Sequence, residues 1–361
     1  MNILFVPTTT LSLINVINLV YTKQFINSNN YLAIMARDKV MLNALNIIED
    51  KRLFKRVVAF SFFNNKNFFF KILIFLFPFL MLSKKLMIKG ESLNFLKNID
   101  VIITTSYFQA ILFKKISISS QIILLEEGIS SYTGRVVNFD RRNIITKFFF
   151  RKYIKKDPIF LYCPNLYCGK DREIYKIPRL TKKVILLLSE IFHHTQPYNI
   201  KNSITYLGVP FWGLQDLAEN PSKVDINFIQ ECKRILKYIY STHKRKILYR
   251  KHPIELEPEL ENMIDMDDSK ENWELSIGFN NNCDFTIISF FSTGMLTPYL
   301  MFGFQPKLIF LYNLLDFDFL EADRIVDKLR LLYNDPNRIM TPSTYDELDE
   351  SLISISEINN D

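Results

Sequence analysis

The chain has 361 residues, of which 48% are hydrophobic and 23% are charged, so its composition predicts a folded protein of about two domains and excludes a disordered one. The formal net charge of +7 favours a negatively charged partner, although most lysines are expected on solvated faces. The four cysteines (Cys163, Cys168, Cys232 and Cys283) form no CxxC pair, which argues against a disulfide framework and against a metal site.

The first half of the chain alternates short apolar runs with helix-like patterns. Asn2–Val6 is an apolar run, and a polar loop that contains Thr9 leads into apolar positions from Leu13 to Val20. Further strands are predicted at Tyr31–Ala36, Val57–Phe62, Val101–Thr105 and Ile122–Leu125, and a helix is predicted at Lys39–Ile48. Strands at this spacing, separated by helices, are typical of a parallel sheet.

The second half repeats this α/β pattern after a boundary that we place near Pro178. The predicted strands are Lys183–Leu188, Ser203–Leu207, Lys246–Arg250, Phe285–Ser289 and Lys307–Leu311. The predicted helices are Ile226–Tyr240, Thr293–Phe302 and Tyr345–Ile358. Asp265–Asp268 is interpreted as a solvated loop, because no strand is predicted before it. The expected architecture is two Rossmann-like, doubly wound parallel-sheet domains, residues 1–178 and 179–361, that face a cleft in a GT-B-like arrangement.

Two segments raise the question of membrane contact. Phe68–Leu82 is apolar but shorter than the about 20 residues that a transmembrane helix needs, and it contains Lys71 and Pro78. It is interpreted either as a buried helix or as a segment lying on the inner leaflet. Lys147–Lys156 mixes aromatic and basic residues, which suits an anionic membrane surface or a solvated helix. No nucleic-acid motif accompanies the charge, and the N-terminus lacks the features of a signal peptide, so we expect a cytoplasmic protein with peripheral inner-membrane contact as an option.

Polar residues that follow predicted strands are the candidate functional residues, because ligands of open α/β sheets bind at the carboxyl ends of the strands. Glu126 and Glu127 follow the fifth strand, and a carboxylate held at such an edge can deprotonate a sugar hydroxyl. Gly128 then allows a sharp turn. The alternative reading is a solvated helix start, where acidic residues are stabilising.

Two further strand ends carry groups suited to a phosphate. Lys251, His252 and Pro253 follow the strand Lys246–Arg250, and a histidine there can protonate or hydrogen-bond a leaving phosphate. The segment from Ser289 to Gly294 joins a strand to a helix, and its hydroxyls and free amides can bind an anion, although plain capping is the common reading. The candidate binding residues are Thr9, Gly128, Gly208, Lys251, Pro253, Ser289, Ser292, Thr293 and Gly294.

The order of these motifs resembles that of bacterial sialyltransferases of the lipooligosaccharide and capsule type (family 52-like), which are related to the polysialyltransferases. Those proteins carry an acidic-acidic-glycine motif, a histidine-proline motif and a serine/threonine motif, here Glu126–Gly128, His252–Pro253 and Ser292–Thr293. The resemblance implies a GT-B fold and a metal-independent, inverting transfer of sialic acid, or a related nonulosonic acid, from a CMP-sugar to a lipooligosaccharide or capsular glycan. It implies no cofactor besides the CMP-sugar donor.

The resemblance also implies roles for individual residues. Glu127, or else Glu126, would be the general base, His252 the acid, and Ser292 and Thr293 the contacts of the CMP phosphate. The lipooligosaccharide group can draw its base instead from an aspartate shortly before the histidine-proline motif. The comparable stretch 208–213 has no aspartate, and Asp216 and Asp225 lie beyond it.

Two rival functions remain open on the sequence. Histidine-proline and serine/threonine pairs also occur in enzymes that use CMP-Kdo or CDP-glycerol for surface polysaccharides. Alternatively, the chain is a membrane-associated scaffold without catalytic activity, whose working segments would be Phe68–Leu82 and Lys147–Lys156.

Overall fold

The computed structural model describes two compact units, and each is treated by itself. The described residues are 1–21, 25–35, 39–60, 93–133, 157–170, 172–194, 204–209, 226–243, 247–252, 265–267, 272–279, 285–315, 319 and 321–357. The first unit comprises Met1–Glu127, Arg142–Pro164 and Lys170–Thr195, and the second comprises Gly128–Arg141, Asn165–Gly169 and Gln196–Asp361. The segments Phe68–Leu82 and Lys147–Lys156 lie outside the described residues, and within the described part no helix is long and apolar enough to cross a bilayer.

The first unit is built on a seven-stranded parallel sheet with the order β3-β2-β1-β4-β5-β6-β7. Its strands are β1 (Asn2–Val6), β2 (Asn29–Met35), β3 (Arg56–Phe60), β4 (Val101–Thr104), β5 (Gln121–Leu125), β6 (Ile159–Leu161) and β7 (Ile174–Lys176). Its helices are α1 (Thr10–Val20), α2 (Lys39–Asp50), α3 (Tyr107–Ile116) and α4 (Lys182–Phe192), with a short 3-10 helix at Leu93–Asn98. The strand order reverses its direction of growth between β1 and β4, which makes that pair the topological switch point.

The apolar runs found in the sequence form the interior of this sheet. Residues Ile3–Val6 of β1 are fully buried, as are Val101–Thr104 of β4, which pairs directly with β1. Continuous burial on both faces is what a parallel sheet covered by helices requires, and it explains why these strands read as unbroken apolar runs.

The second unit holds a six-stranded parallel sheet with the order β10-β9-β8-β11-β12-β13. Its strands are β8 (Ile204–Leu207), β9 (Ile247–Arg250), β10 (Asp265–Met266), β11 (Thr286–Ser289), β12 (Lys307–Phe310) and β13 (Ile339–Met340). Its helices are α5 (Ile226–His243), α6 (Trp273–Gly278), α7 (Thr293–Thr297, continued as a π-helix over Pro298–Phe302), α8 (Ala322–Arg330) and α9 (Tyr345–Glu357). Here the switch point lies between β8 and β11. The two parallel sheets confirm the α/β prediction.

The predicted strand Lys183–Leu188 is wrong, because this segment is part of the helix α4. Thr181 caps the helix by accepting a hydrogen bond from the backbone nitrogen of Val184, and the buried positions follow a helical spacing. The buried residues of α4 are Val184, Leu187, Leu188 and Ile191. The helix packs against α1 and α2, so the first unit continues to Thr195, past the boundary that the sequence suggested near Pro178.

The interpretation of Asp265–Asp268 as a solvated loop is also wrong. Asp265 and Met266 form β10, which pairs in parallel with Leu248 and Tyr249 of β9. Asp267 follows directly, and its side chain is only 5% exposed. Residues 265–267 therefore lie at the edge of the second sheet, where the Asp267 carboxylate is buried, and Asp268 lies outside the described residues.

Candidate active-site residues at two sheet edges

The carboxyl edge of the first sheet gathers hydroxyl and carboxylate groups at its switch point. Thr8 follows β1, Thr105 follows β4, and Glu127 follows β5. The Thr8 hydroxyl donates to Oε1 of Glu127 at 2.6 Å, and the hydroxyl oxygens of Thr8 and Thr105 are also 2.6 Å apart. Three strand ends that are far apart in sequence thus meet in one hydrogen-bonded cluster.

Glu127 is partly exposed, yet its carboxyl is surrounded by protein. Burial raises the pKa of Glu127 above its ordinary value, and the hydrogen bond from Thr8 acts in the opposite direction by stabilising the charged form. A carboxylate with a raised pKa is a stronger base than an ordinary carboxylate.

Glu126, the neighbouring carboxylate, has a different environment. It is 4% exposed, and its Oε2 accepts a hydrogen bond from the backbone nitrogen of Tyr162 at 2.8 Å. Its carbonyl oxygen accepts from the side-chain amide of Asn15 at 3.0 Å, and Asn15 in turn accepts from the Tyr162 hydroxyl at 3.0 Å. These hydrogen bonds connect β5, β6 and α1 and so stabilise the first unit. Of the two glutamates named by the sequence, Glu127 is the more exposed.

Thr9 is the N-cap of α1. Its hydroxyl accepts from the backbone nitrogen of Ser12 at 3.2 Å, while the Ser12 hydroxyl oxygen accepts from the backbone nitrogens of Thr8 and Thr9, both at 2.9 Å. This reciprocal cap fixes the turn that presents Thr8. A contact between Thr9 and substrate stays a prediction.

The carboxyl edge of the second sheet carries the other group of predicted residues. Gly208 follows β8, and its backbone nitrogen donates to the carbonyl oxygen of Arg250 at 2.8 Å. Lys251 and His252 follow β9 and are half-buried. Burial lowers the pKa of His252 below its ordinary value, so the imidazole is neutral at neutral pH. Pro253 lies outside the described residues.

The segment that follows β11 enters the same edge, two strand spacings or roughly 10 Å from the end of β9. Ser289 is fully buried and donates its hydroxyl to the carbonyl oxygen of Leu207 at 2.8 Å, so it joins β11 to β8. Ser292 is the N-cap of α7 and accepts from the backbone nitrogen of Gly294 at 3.3 Å. Thr293 accepts from the backbone nitrogen of Ile129 at 3.0 Å.

Two glycines of the second unit, Gly128 and Gly294, are required by close packing. A Cβ at Gly128 would lie 2.5 Å from the Thr293 hydroxyl oxygen, and the φ angle of +146° is one that other residues rarely adopt. A Cβ at Gly294 would lie 2.8 Å from Cδ1 of Leu207 and 3.2 Å from Nε1 of Trp273. The second unit thus holds the Gly128 turn tightly against the start of α7.

Asp267 and Trp273 were not identified as site residues from the sequence, and both contact Arg250. Arg250, at the end of β9, forms an ion pair of 2.6 Å with Asp267, and its guanidinium carbon lies 5.3 Å from the ring centre of Trp273. The Trp273 indole nitrogen donates to the carbonyl oxygen of Gly294 at 3.0 Å, so the network reaches the first turn of α7. The sequence signal for these contacts was Arg250, a charged residue at the end of a predicted strand, because a buried charge needs a partner.

Glu274, in the first turn of α6, is a further carboxylate near this network. Burial raises the pKa of Glu274, and the positive charge of Arg250 opposes that rise. Among the described residues, no three histidine, cysteine, aspartate or glutamate side chains cluster in a way that could hold a metal ion.

Comparison with known proteins adds evidence on the fold. No protein-family model matches the sequence, and no curated protein matches it. The chain is similar to the solved structure of Arabidopsis thaliana UGT89C1 complexed with UDP, with 10% identity, 98% of this chain and 99% of that chain covered, and a TM-score of 0.50.

Two further solved structures are similar at lower scores. One is a glycosyltransferase from Rickettsia africae ESF-5, with 12% identity, coverage of 99% and 88%, and a TM-score of 0.44. The other is the gt-b domain of a sialyltransferase from Photobacterium damselae, with 10% identity, coverage of 94% and 100%, and a TM-score of 0.41. At 10% identity, the likeness to UGT89C1 concerns the fold alone. With its two parallel sheets, the chain has an α/β GT-B fold.

Proposed function

We propose that this chain is a glycosyltransferase that moves sialic acid, or a related nonulosonic acid, from a CMP-activated donor to a hydroxyl of a lipooligosaccharide or capsular glycan. The observation that supports it most is that each sheet presents suitable reactive or phosphate-binding groups at its own carboxyl edge. The first sheet presents the carboxylate Glu127, and the second presents His252 with the hydroxyls of Ser292 and Thr293. The order of these motifs along the chain supports the sialyl-type donor.

In the proposed reaction the acceptor hydroxyl attacks the anomeric carbon of the donor sugar. Its proton passes to Glu127, a bond forms between the acceptor oxygen and the anomeric carbon, and the bond from that carbon to the phosphate oxygen breaks. The electron pair leaves with CMP, and the configuration inverts. A positioned general base of this kind contributes about 10²–10⁴ to the rate.

The second sheet edge would stabilise the negative charge that grows on the CMP phosphate. The hydroxyls of Ser292 and Thr293 already accept hydrogen bonds from backbone nitrogens, so the single proton of each can be donated to a phosphate oxygen. Since burial lowers its pKa, His252 in the free protein is a neutral N–H donor rather than a cation. Lys251 adds positive potential. Preorganised donors of this kind are worth about 10²–10³ each.

A panel of activated donors tests the proposal. The purified protein is mixed with a lipooligosaccharide acceptor and with CMP-sialic acid, CMP-Kdo, CDP-glycerol or a UDP-sugar, and the released nucleotide is measured. We expect CMP release from CMP-sialic acid that depends on the acceptor. Turnover of CDP-glycerol, CMP-Kdo or a UDP-sugar alone would reject the sialyl donor, and no turnover with any donor, together with no thermal stabilisation by CMP, would favour the scaffold.

Matched variants connect the activity to the residues. Glu127→Gln and His252→Asn are each expected to reduce turnover by about 10²-fold or more. His193→Asn is the control for the histidine, because His193 is exposed at the end of α4 in a left-handed conformation that asparagine tolerates. Equal losses in His193→Asn and His252→Asn would contradict the assignment of His252.

A further inference from the structure

When Glu127 is ionised, the hydroxyl cluster beside it has one direction of donation. An ionised carboxylate only accepts hydrogen bonds, and a threonine hydroxyl has one proton. Since Thr8 uses its proton on Oε1 of Glu127, the 2.6 Å contact between Thr8 and Thr105 requires Thr105 to be the donor. The result is a directed chain from Thr105 to Thr8 to Glu127.

The backbone holds both threonines in place without help from the carboxylate. The backbone nitrogen of Thr8 donates to the Ser12 hydroxyl at 2.9 Å, which anchors the loop after β1 to the start of α1. Thr104, the residue before Thr105, donates its hydroxyl to the carbonyl oxygen of Val6 at 2.9 Å and so links β4 to β1. The two hydroxyls are therefore preorganised on rigid strand ends.

Titratable groups on the described elements near Glu127 also make contacts of their own. Glu126 binds the backbone nitrogen of Tyr162, and the Tyr162 hydroxyl donates to Asn15. The Tyr107 hydroxyl, at the start of α3, accepts from Arg172 at 3.2 Å. The forces identified on the Glu127 charge are burial, which opposes it, and the Thr8 hydrogen bond, which favours it.

We propose that Thr8 and Thr105 are positioning residues that hold Oε1 of Glu127 and keep its carboxyl ionised, so that Glu127 can accept the proton of the sugar hydroxyl. Thr8 acts directly and Thr105 acts through Thr8, by fixing and polarising its hydroxyl. The proposal rests on the proposed function for the meaning of the proton transfer, but the hydrogen-bond chain itself can be tested without any substrate.

The test measures the pKa of Glu127 by NMR titration of protein labelled with ¹³C at the glutamate carboxyls, with Glu127→Gln identifying the resonance. Thr8→Val keeps the shape of the side chain and removes the hydroxyl. Because a hydrogen bond to a charged group is lost, the pKa of Glu127 should rise by about 1–2 units. Thr105→Val should raise it by only about a few tenths of a unit, and Thr8→Ser, which restores the hydroxyl, should return it close to the wild-type value.

The same variants give a second readout if the donor panel shows turnover. The acid limb of the kcat/KM profile should move to higher pH in Thr8→Val by the same interval, with activity recovering at high pH. A variant that had merely lost its fold would be inactive at every pH.

An unchanged pKa in Thr8→Val, or an equal rise in Thr8→Ser, would overturn the proposal. If the pKa shifts as expected but no donor is turned over, the hydrogen-bond chain stands and the proposed function fails.

Discussion

The ion pair between Arg250 and Asp267 provides the sharpest test of the energetics of the second unit. The pair spans 2.6 Å, and the side chains are only 10% and 5% exposed. Arg250 also lies over the ring of Trp273, whose indole nitrogen binds the carbonyl oxygen of Gly294. Asp267→Asn removes the negative charge while keeping the shape, so the guanidinium stays buried without its carboxylate.

The expected cost follows from the burial of the pair. Removing one partner of a buried ion pair costs about 3–5 kcal/mol, because the remaining charge has lost its compensation in a medium that solvates it poorly. Asparagine keeps one acceptor oxygen, so Asp267→Asn should fall near the lower end, at about 3 kcal/mol. The double variant Arg250→Met with Asp267→Leu removes both charges and should recover most of this loss.

Urea unfolding followed by tryptophan fluorescence measures the free energy of unfolding of the second unit. Both tryptophans of the chain, Trp212 and Trp273, belong to the second unit. Glu231→Gln is the matched control, since it breaks the exposed pair between Glu231 and Arg234, and exposed pairs contribute little to stability. A loss in Asp267→Asn no larger than that in Glu231→Gln would refute the reasoning, as would a double variant as unstable as the single one.

Two further predictions concern the second unit. Gly128→Ala should destabilise it by about 2–5 kcal/mol, because of the strained φ angle and the overlap with the Thr293 hydroxyl. In a double-mutant cycle measured by urea unfolding, Gly128→Ala should cost less in a Thr293→Ala background, and equal costs in both backgrounds would exclude the overlap. NMR titration should place the pKa of His252 below 6.5 in the free protein and higher with CMP bound, since an anionic phosphate favours the imidazolium, and His252→Asn identifies the resonance. The lowered pKa also means that His252 reduces the free energy of unfolding as the pH falls below about 6.5, where only the unfolded chain takes up the proton. A pKa that CMP leaves unchanged would count against contact with the phosphate.

The long apolar strands could be predicted from the sequence because burial on both faces leaves a continuous apolar run. The strands β1, β4, β5, β9 and β11 are confirmed within one or two residues. The strands β6, β7, β10 and β13 have two or three residues each, which is too short for any pattern, and they exist because a neighbouring strand pairs with them. The apolar run Lys183–Leu188 fits a strand or a helix equally well, and the Thr181 cap and the packing on α1 and α2 decide for the helix.

The candidate site also has features that the sequence could predict and features that it could not. The sequence could place Glu127, His252 and Ser292 at strand ends because each follows a strand whose apolar run is visible. It could not show how the surroundings of Glu126 and Glu127 differ, because Glu126 accepts a hydrogen bond from the backbone nitrogen of Tyr162, which is distant in the chain.

The same limit applies to contacts among the hydroxyl groups. Thr8 and Thr105 are separated by 97 residues, and only the pairing of β1 with β4 brings them together. Ser289 was expected to bind substrate, but its buried hydroxyl donates to Leu207, and this contact depends on the pairing of β8 with β11.

The proposed function requires the second sheet edge to bind the phosphate of CMP, with His252 as one of the hydrogen-bond donors. Isothermal titration of CMP into the wild-type protein and into His252→Asn tests it most directly, with His193→Asn as the control. Loss of a hydrogen bond to a charged phosphate should weaken binding by about 10-fold to 100-fold in His252→Asn and leave His193→Asn unchanged. The absence of CMP binding to the wild-type protein, or equal affinity in His252→Asn, would contradict the account.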